Sequence, residues 1–117
     1  MADRADRARV EDMSEAVARV LHYTDGLSRL EFEADRRTVD AVLRNVVVLG
    51  EAAARVTDET RALAPEIERG RIVRSRHIVV HDYFGVDLAI IWRIVEVHLR
   101  PLAASLDALL RRLADAA

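Results

Sequence analysis

The sequence predicts an all-α fold: an antiparallel bundle of four or five helices. Three observations carry that expectation. The 117 residues include only 4 glycines and 2 prolines, so few positions break a helix. Ala, Val and Leu dominate, and only 4% of residues are aromatic. Apolar side chains recur at three- and four-residue steps over most of the length, which is the period of an amphipathic helix.

The first helix is expected over about Asp6 to Asp25, with Val10, Met13, Val17, Val20, Leu21 and Thr24 as its inward stripe. Gly26 is its stop signal. Ser28 followed three residues later by Glu31 has the form of a capping box, opening a short helix that runs to about Ala34. A second long helix is predicted from about Arg36 to Thr57, buried through Val39, Val42, Leu43, Val46, Val47, Leu49 and Ala53. The turn Val46-Val47-Val48-Leu49 is apolar almost all round, so it needs cover on more than one side. Either neighbouring helices of the same chain or a helix from a second copy can supply that cover.

A short helical piece, about Asp58 to Leu63, ends near Pro65. After a polar connection, another helix is expected from about Arg71 to Phe84, broken by Gly85. Asp87 caps the last helix, Leu88 to about Ala114, whose stripe includes Leu88, Ile91, Trp92, Val95, Leu99, Leu102 and Leu106. Pro101 lies inside that stripe and is expected to kink or split the helix.

The length suits one domain, residues 1–117, large enough to bury a core without staples. With no cysteine, a disulfide framework and a thiolate metal site are both excluded. The N-terminus is charged and lacks the apolar stretch of a signal peptide, and no window approaches a membrane span. The expectation is a cytoplasmic protein without membrane contact. Net charge is -2, so bulk charge does not announce a nucleic-acid binder. All 18 basic residues are arginine, whose planar fork matches phosphate oxygens.

Chemistry concentrates in Arg74-Ser75-Arg76-His77-Ile78-Val79-Val80-His81-Asp82-Tyr83-Phe84. Three readings compete. In the first, His81 moves protons near neutral pH and Arg76 stabilises charge on a phosphate, while RNA supplies its own 2′-hydroxyl nucleophile. Five residues separate Arg76 from His81, about 140° around an ideal helix, so they cannot share a face. Either the helix starts inside the segment or a second chain completes the site. Arg76 and Tyr83, seven apart, share a face if the helix continues that far. In the second reading, His77 and His81 have the i, i+4 spacing of metal ligands, but no third ligand is indicated. In the third, the cluster is a solvated helix edge.

The pattern Arg76-x4-His81-x-Tyr83 resembles the R-x4-H-x-Y signature of HepT proteins in the HEPN ribonuclease superfamily. Its surroundings are similar as well. They include the extension Phe84-Gly85-Val86-Asp87 with Ile91-Trp92, the upstream segment with Arg44-Asn45 and Gly50-Glu51-Ala52, and the connection Pro65-Glu66-Ile67. The resemblance spans nearly the whole chain in the family's order.

The resemblance implies a HEPN bundle that forms a homodimer through its helices, with both copies of the motif around one cleft. It implies a metal-independent endoribonuclease, the toxin of a type VII-like toxin–antitoxin pair, with RNA as substrate. His81 would be the acid/base and Arg76 would bind the scissile phosphate; outside the resemblance, Arg74 in the basic run Arg69, Arg71, Arg74, Arg76, and His77, are read from the residues themselves as candidate phosphate contacts. The chain itself would need no cofactor and no metal. Its partner would be an MNT-type nucleotidyltransferase antitoxin, which uses ATP to attach AMP to Tyr83. The alternative is a non-catalytic HEPN module that binds a nucleotidyltransferase or RNA.

Two positions depart from the family pattern. His77 stands where the family usually has Asn, and Glu68-Arg69-Gly70 stands where it often has a Trp. His77 reads either as a second proton carrier or as the mark of a weakened enzyme. Elsewhere, Gly50 suggests close helix packing and Glu51 a structural partner for a nearby arginine. Trp92 reads as core, while His22, Tyr23 and His98 read as peripheral. Asp82, next to His81 on a helix, is poorly placed to orient it.

Overall fold

The structure, a computed structural model, describes residues 4–116. Every regular element among them is helical. Helix α1 (Arg4–Thr24) buries Val10, Met13, Val17 and Val20. Gly26 follows at φ 75°, a left-handed conformation that ends the helix at the expected residue. Helix α2 (Arg29–Ala34) opens with the expected capping box. The Ser28 hydroxyl accepts from the Glu31 amide at 3.1 Å, and the Glu31 carboxylate accepts from the Ser28 amide at 3.0 Å. Asp35 then caps α3 (Arg36–Arg55) through the Thr38 amide and hydroxyl.

Helix α3 is the centre of the bundle. It packs on α1 on one side and on α5 (Arg69–His81) on another. Val39, Val42, Leu43, Val46, Leu49 and Ala53 are buried between them, and each large side chain contributes about 1.5–3 kcal/mol of hydrophobic stabilisation. The helix's own neighbours therefore cover much of the apolar Val46–Leu49 turn. Val47 and Val48 stay only half-buried.

A short helix, α4 (Asp58–Ala62), is capped by Thr57. The carboxylate of Asp6, fully buried, ties the start of α1 to this corner. It accepts from the Thr57 amide and hydroxyl, from the Thr60 hydroxyl at 2.7 Å, and from Arg9 at 3.1 Å. The Arg9 guanidinium also reaches the Arg55 carbonyl, so one arginine ties the start of α1 to the end of α3.

Helix α5 is displaced from the expected Arg71–Phe84. It begins at Arg69, whose guanidinium donates to the carbonyls of Ala53 and Ala54 at the end of α3. The Ala53 carbonyl also takes the Val56 amide that caps α3, and the arginine adds a donor to these two carbonyls at the helix end. The helix ends at His81. Asp82 leaves helical geometry at φ -135°, ψ 40°, and Tyr83–Gly85 form a single 3₁₀ turn. A Cβ on Gly85 would lie 2.8 Å from the Asp82 carboxylate, so this turn is built around a residue without a side chain. Arg76 and Tyr83 therefore do not lie on one face of a continuing helix, as a helix reaching Phe84 would require.

Asp87 caps α6 (Leu88–Arg93) by accepting from the Ala89 amide at 2.9 Å. A π turn, Ile94–His98, joins it without a break to α7 (Leu99–Ala116). Pro101 was expected to kink or split this rod. The proline has no N–H for the carbonyl four residues earlier and its ring crowds that carbonyl. The rod runs through it, and the irregularity appears one turn upstream as the π turn, where the Leu99 amide reaches back to Ile94. Helix α7 closes the bundle against α1, and Phe32 of α2 packs on half-buried Trp92 at 5.2 Å between ring centres. Among the described residues, four long helical segments and two short ones thus stand where four or five helices were expected. The molecule measures 46 × 29 × 20 Å, and its shortest dimension is that of two packed helix layers.

Candidate functional site

Helix α5 carries the motif, and α3 is the one long helix it packs against to any extent. Of its thirteen residues only Val79 is fully buried. Ile78 and Val80 are 41% and 46% exposed, so the helix presents more than one open face.

Arg76 points back to α3. Its Cβ would lie 2.2 Å from a Cβ on residue 50, an approach that only glycine permits. From there the guanidinium folds onto the next residue of α3. Its Nε donates to Glu51 Oε1 at 2.8 Å, and its terminal nitrogen donates to the same oxygen. Gly50 lets the arginine in and Glu51 fixes its direction. The Arg76 side chain is 26% exposed, so the fixed guanidinium still reaches solvent.

The arginines Arg69, Arg71, Arg74 and Arg76 of α5 divide into separate jobs. Arg69 is spent on the α3 carbonyls, and Arg71 pairs with Glu68 at 3.0 Å. Arg74 is exposed and makes no ion pair among the described residues. It is the arginine of the run left available to an anion.

His77 and His81 lie one turn apart on α5, both exposed. Their rings stack, with centres 5.7 Å apart and planes inclined by 16°. Neither imidazole makes a hydrogen bond or ion pair among the described residues. No group of three or more His, Asp or Glu side chains comes together among those residues, so the pair gains no third metal ligand. The Asp82 carboxylate lies against Gly85 and makes no hydrogen bond to His81 among the described residues.

The helix contains the whole segment from Arg76 to His81, so it does not start inside the motif. Within one chain the two side chains therefore leave the axis about 140° apart. Tyr83, beyond the helix end, returns to α3, where its hydroxyl donates to Asp40 Oδ1 at 3.3 Å. Asp40 and Glu51 are eleven residues apart, three helical turns, and so face nearly the same way. One side of α3 thus anchors both the motif arginine and the motif tyrosine, about 16 Å apart along its axis. The sequence reading missed Asp40. A carboxylate eleven residues before Glu51 was the available signal. Phe84, quoted in the motif segment without a role, is 99% exposed, and its ring stands edge-on to Tyr83 at 5.5 Å.

A separate, mostly apolar groove between α3, α5 and the π turn is lined by Leu49, Ile72, Ile94, Val97 and Leu102. It holds none of Arg76, His81 or Tyr83. No described helix is long and apolar enough to cross a membrane.

The "Ribonuclease HepT-like" family description matches residues 13–109, which contain every element of this site. The chain belongs to the HepT-like ribonuclease family. Among its relatives is the "Probable ribonuclease HepT" of Thermococcus cleftensis, 31% identical over 80% of this chain and 84% of that protein. Another is the "Putative RNase MJ1380" of Methanocaldococcus jannaschii, 29% identical over 82% of this chain and 88% of the relative. No solved structure matches. Family membership places the Gly50–Glu51–Arg76 contact and the stacked His77–His81 pair in a HepT-like frame.

Proposed function

We propose that this HepT-like chain is a metal-independent endoribonuclease, the toxin of a type VII-like toxin–antitoxin pair, acting as a homodimer. The observation that carries the reading is the division of labour on α5. Arg76 is held by Glu51 across Gly50, while His81, which makes no hydrogen bond or ion pair among the described residues, stands about 140° away on the same helix. A second copy placed across the open side of α5 brings one chain's imidazole to the other's guanidinium. The exposed Ile78 and Val80 give that side apolar surface to bury.

In this reading Arg76 binds the scissile phosphate and stabilises its added negative charge. His81 is the acid/base. Arg74 and His77 flank them as phosphate contacts, and RNA provides the 2′-hydroxyl. The chain uses no cofactor. Tyr83, 38% exposed with its hydroxyl at the surface, accepts AMP from an MNT-type nucleotidyltransferase antitoxin that consumes ATP. The added nucleotide brings bulk and negative charge to the end of α5, where an RNA phosphate is to bind.

The test is cleavage of RNA by the purified protein in EDTA. The expected result is cleavage that His81→Ala abolishes. Cleavage that persists in that variant removes His81 from the mechanism. A wild-type protein that binds RNA or the nucleotidyltransferase without cutting supports the non-catalytic module instead.

A further inference from the structure

The structure assigns His77 and His81 to a two-imidazole proton-transfer pair, in which His77 carries a proton during cleavage and is more than a phosphate contact. This rests on the ribonuclease reading above and deepens it.

The two side chains are four residues apart and so project from nearly the same face of α5. Their rings are almost parallel at 5.7 Å. A histidine kept for packing is buried, and these two are exposed. A histidine kept for an ion pair meets a carboxylate, and these do not. Helix α3 is the long element packed on α5, and its carboxylates nearest the motif are already engaged. Glu51 holds Arg76, and Asp40 holds Tyr83 and Arg36. On α5 and the turn after it, the other charged groups near the pair are Arg74, which is exposed, and Asp82, which lies against Gly85. Both imidazoles are therefore free to meet a substrate.

Strand cleavage by a 2′-hydroxyl needs two proton transfers at two oxygens. The attacking and leaving oxygens lie on opposite sides of phosphorus, and each catalytic nitrogen must come within about 3 Å of its own oxygen. Two imidazoles side by side at the observed spacing can bracket one phosphate, with one nitrogen for each oxygen. Acid–base cleavage of this kind uses one ring in its neutral form and the other in its protonated form. The neutral ring takes the 2′-hydroxyl proton as the O2′–P bond forms. The protonated ring gives its proton to O5′ as the P–O5′ bond breaks. The products are a 2′,3′-cyclic phosphate and a 5′-hydroxyl. The pair ends with the same number of protons, and no redox partner or water is consumed.

The experiment uses full-length protein with two single variants, His77→Asn and His81→Asn. Asparagine can donate a hydrogen bond to a phosphate oxygen but cannot carry a proton, so it separates contact from transfer. Each variant is assayed on RNA and on the same RNA carrying sulfur in place of the leaving 5′ oxygen at one linkage. Sulfur departs without needing a proton. Wild type is expected to show a bell-shaped pH–rate curve. His77→Asn is expected to slow cleavage about 100-fold and to remove one limb of that curve. One of the two variants, the one lacking the acid, recovers on the sulfur substrate, and the other does not. The inference is overturned if His77→Asn cleaves at the wild-type rate with both limbs intact, or if neither variant recovers. Wild-type protein that cuts no RNA overturns the ribonuclease reading and this inference with it. Wild-type cleavage that is indifferent to His77→Asn overturns this inference alone.

Discussion

Arg76 occupies the space that a side chain on residue 50 would need, since a Cβ on Gly50 would lie 2.2 Å from the Cβ of Arg76. The atoms in conflict sit close to both backbones, so no rotamer change relieves the clash. Gly50→Ala therefore has to lift α5 away from α3. Alanine improves helix propensity by about 1 kcal/mol, while forced overpacking costs about 1–3 kcal/mol, so the net change is destabilising. The expected result is a lower urea midpoint together with a loss of RNA cleavage under conditions where the variant is still folded. A variant with unchanged stability would show that the helices do not approach this closely in solution.

Glu51 holds Arg76 through an ion pair whose two side chains are 26% and 43% exposed. At that exposure, solvent screening limits its contribution to stability to about 1 kcal/mol or less. Its value lies in direction, because a guanidinium misplaced by about 1 Å can cost 100-fold in rate. Glu51→Gln is expected to leave the unfolding curve nearly in place while lowering kcat/KM for RNA by at least about tenfold. Denaturation and cleavage measured on one preparation separate the two effects. Equal losses in both would reduce Glu51 to a purely structural residue.

Local signals carried most of the fold into the sequence. Ser28 with Glu31, and Asp87, mark helix starts by side-chain chemistry that acts within three residues, and each is a cap in the structure, as Asp35 and Thr57 also prove to be. Gly26 marks a stop just as locally, through its left-handed backbone. The end of α5 was misjudged because the decisive contact, the Asp82 carboxylate against Gly85, forms only once the chain has already turned. The start was misjudged because Arg69 is fixed by carbonyls sixteen and fifteen residues away, beyond the reach of periodicity. At the site, helical spacing foretold the divergence of Arg76 and His81, and glycine beside glutamate foretold the packing that receives an arginine. Asp40 under Tyr83 was signalled only by its spacing from Glu51, since the tyrosine reaches it from the 3₁₀ turn beyond α5.

Asp6 supplies a stability prediction that is independent of catalysis. Its burial pushes the carboxyl pKa up, but hydrogen bonds from the Thr57 and Thr60 hydroxyls, the Thr57 amide and Arg9 outweigh that and hold it below the ordinary aspartate value. A depressed folded-state pKa means the stabilisation is fully present above the unfolded value, near 4, and is lost as pH falls through the folded value below it. Stability is therefore expected to drop on acidification below about pH 4. Asp6→Ala should remove that part of the pH dependence and cost on the order of 3 kcal/mol at neutral pH, because it leaves Arg9 and the Thr57 amide without their shared acceptor. Urea titrations of both proteins across pH 3 to 7 check this, and parallel curves would exclude Asp6 as the titrating group.

Tyr83 and Asp40 test the proposed regulation. The phenol donates to the Asp40 carboxylate at 3.3 Å, and that carboxylate also takes Arg36 at 3.3 Å. An attack by the tyrosine oxygen on the α-phosphorus of ATP forms the O–P bond to AMP, breaks the bond between the α-phosphorus and the bridging oxygen, and releases pyrophosphate; the phenol must shed its proton, and Asp40 is the acceptor already in contact with it. Incubating the protein with ATP and an MNT-type nucleotidyltransferase is expected to add the mass of AMP, and Tyr83→Phe is expected to add none. Asp40→Asn keeps an oxygen near the phenol but no longer takes its proton well, so AMP transfer should slow by about tenfold while the tyrosine stays modifiable. Intact mass spectrometry over time reads both variants. Undiminished labelling of Tyr83→Phe would move the modification to another residue, and undiminished labelling of Asp40→Asn would assign the proton to a group on the antitoxin.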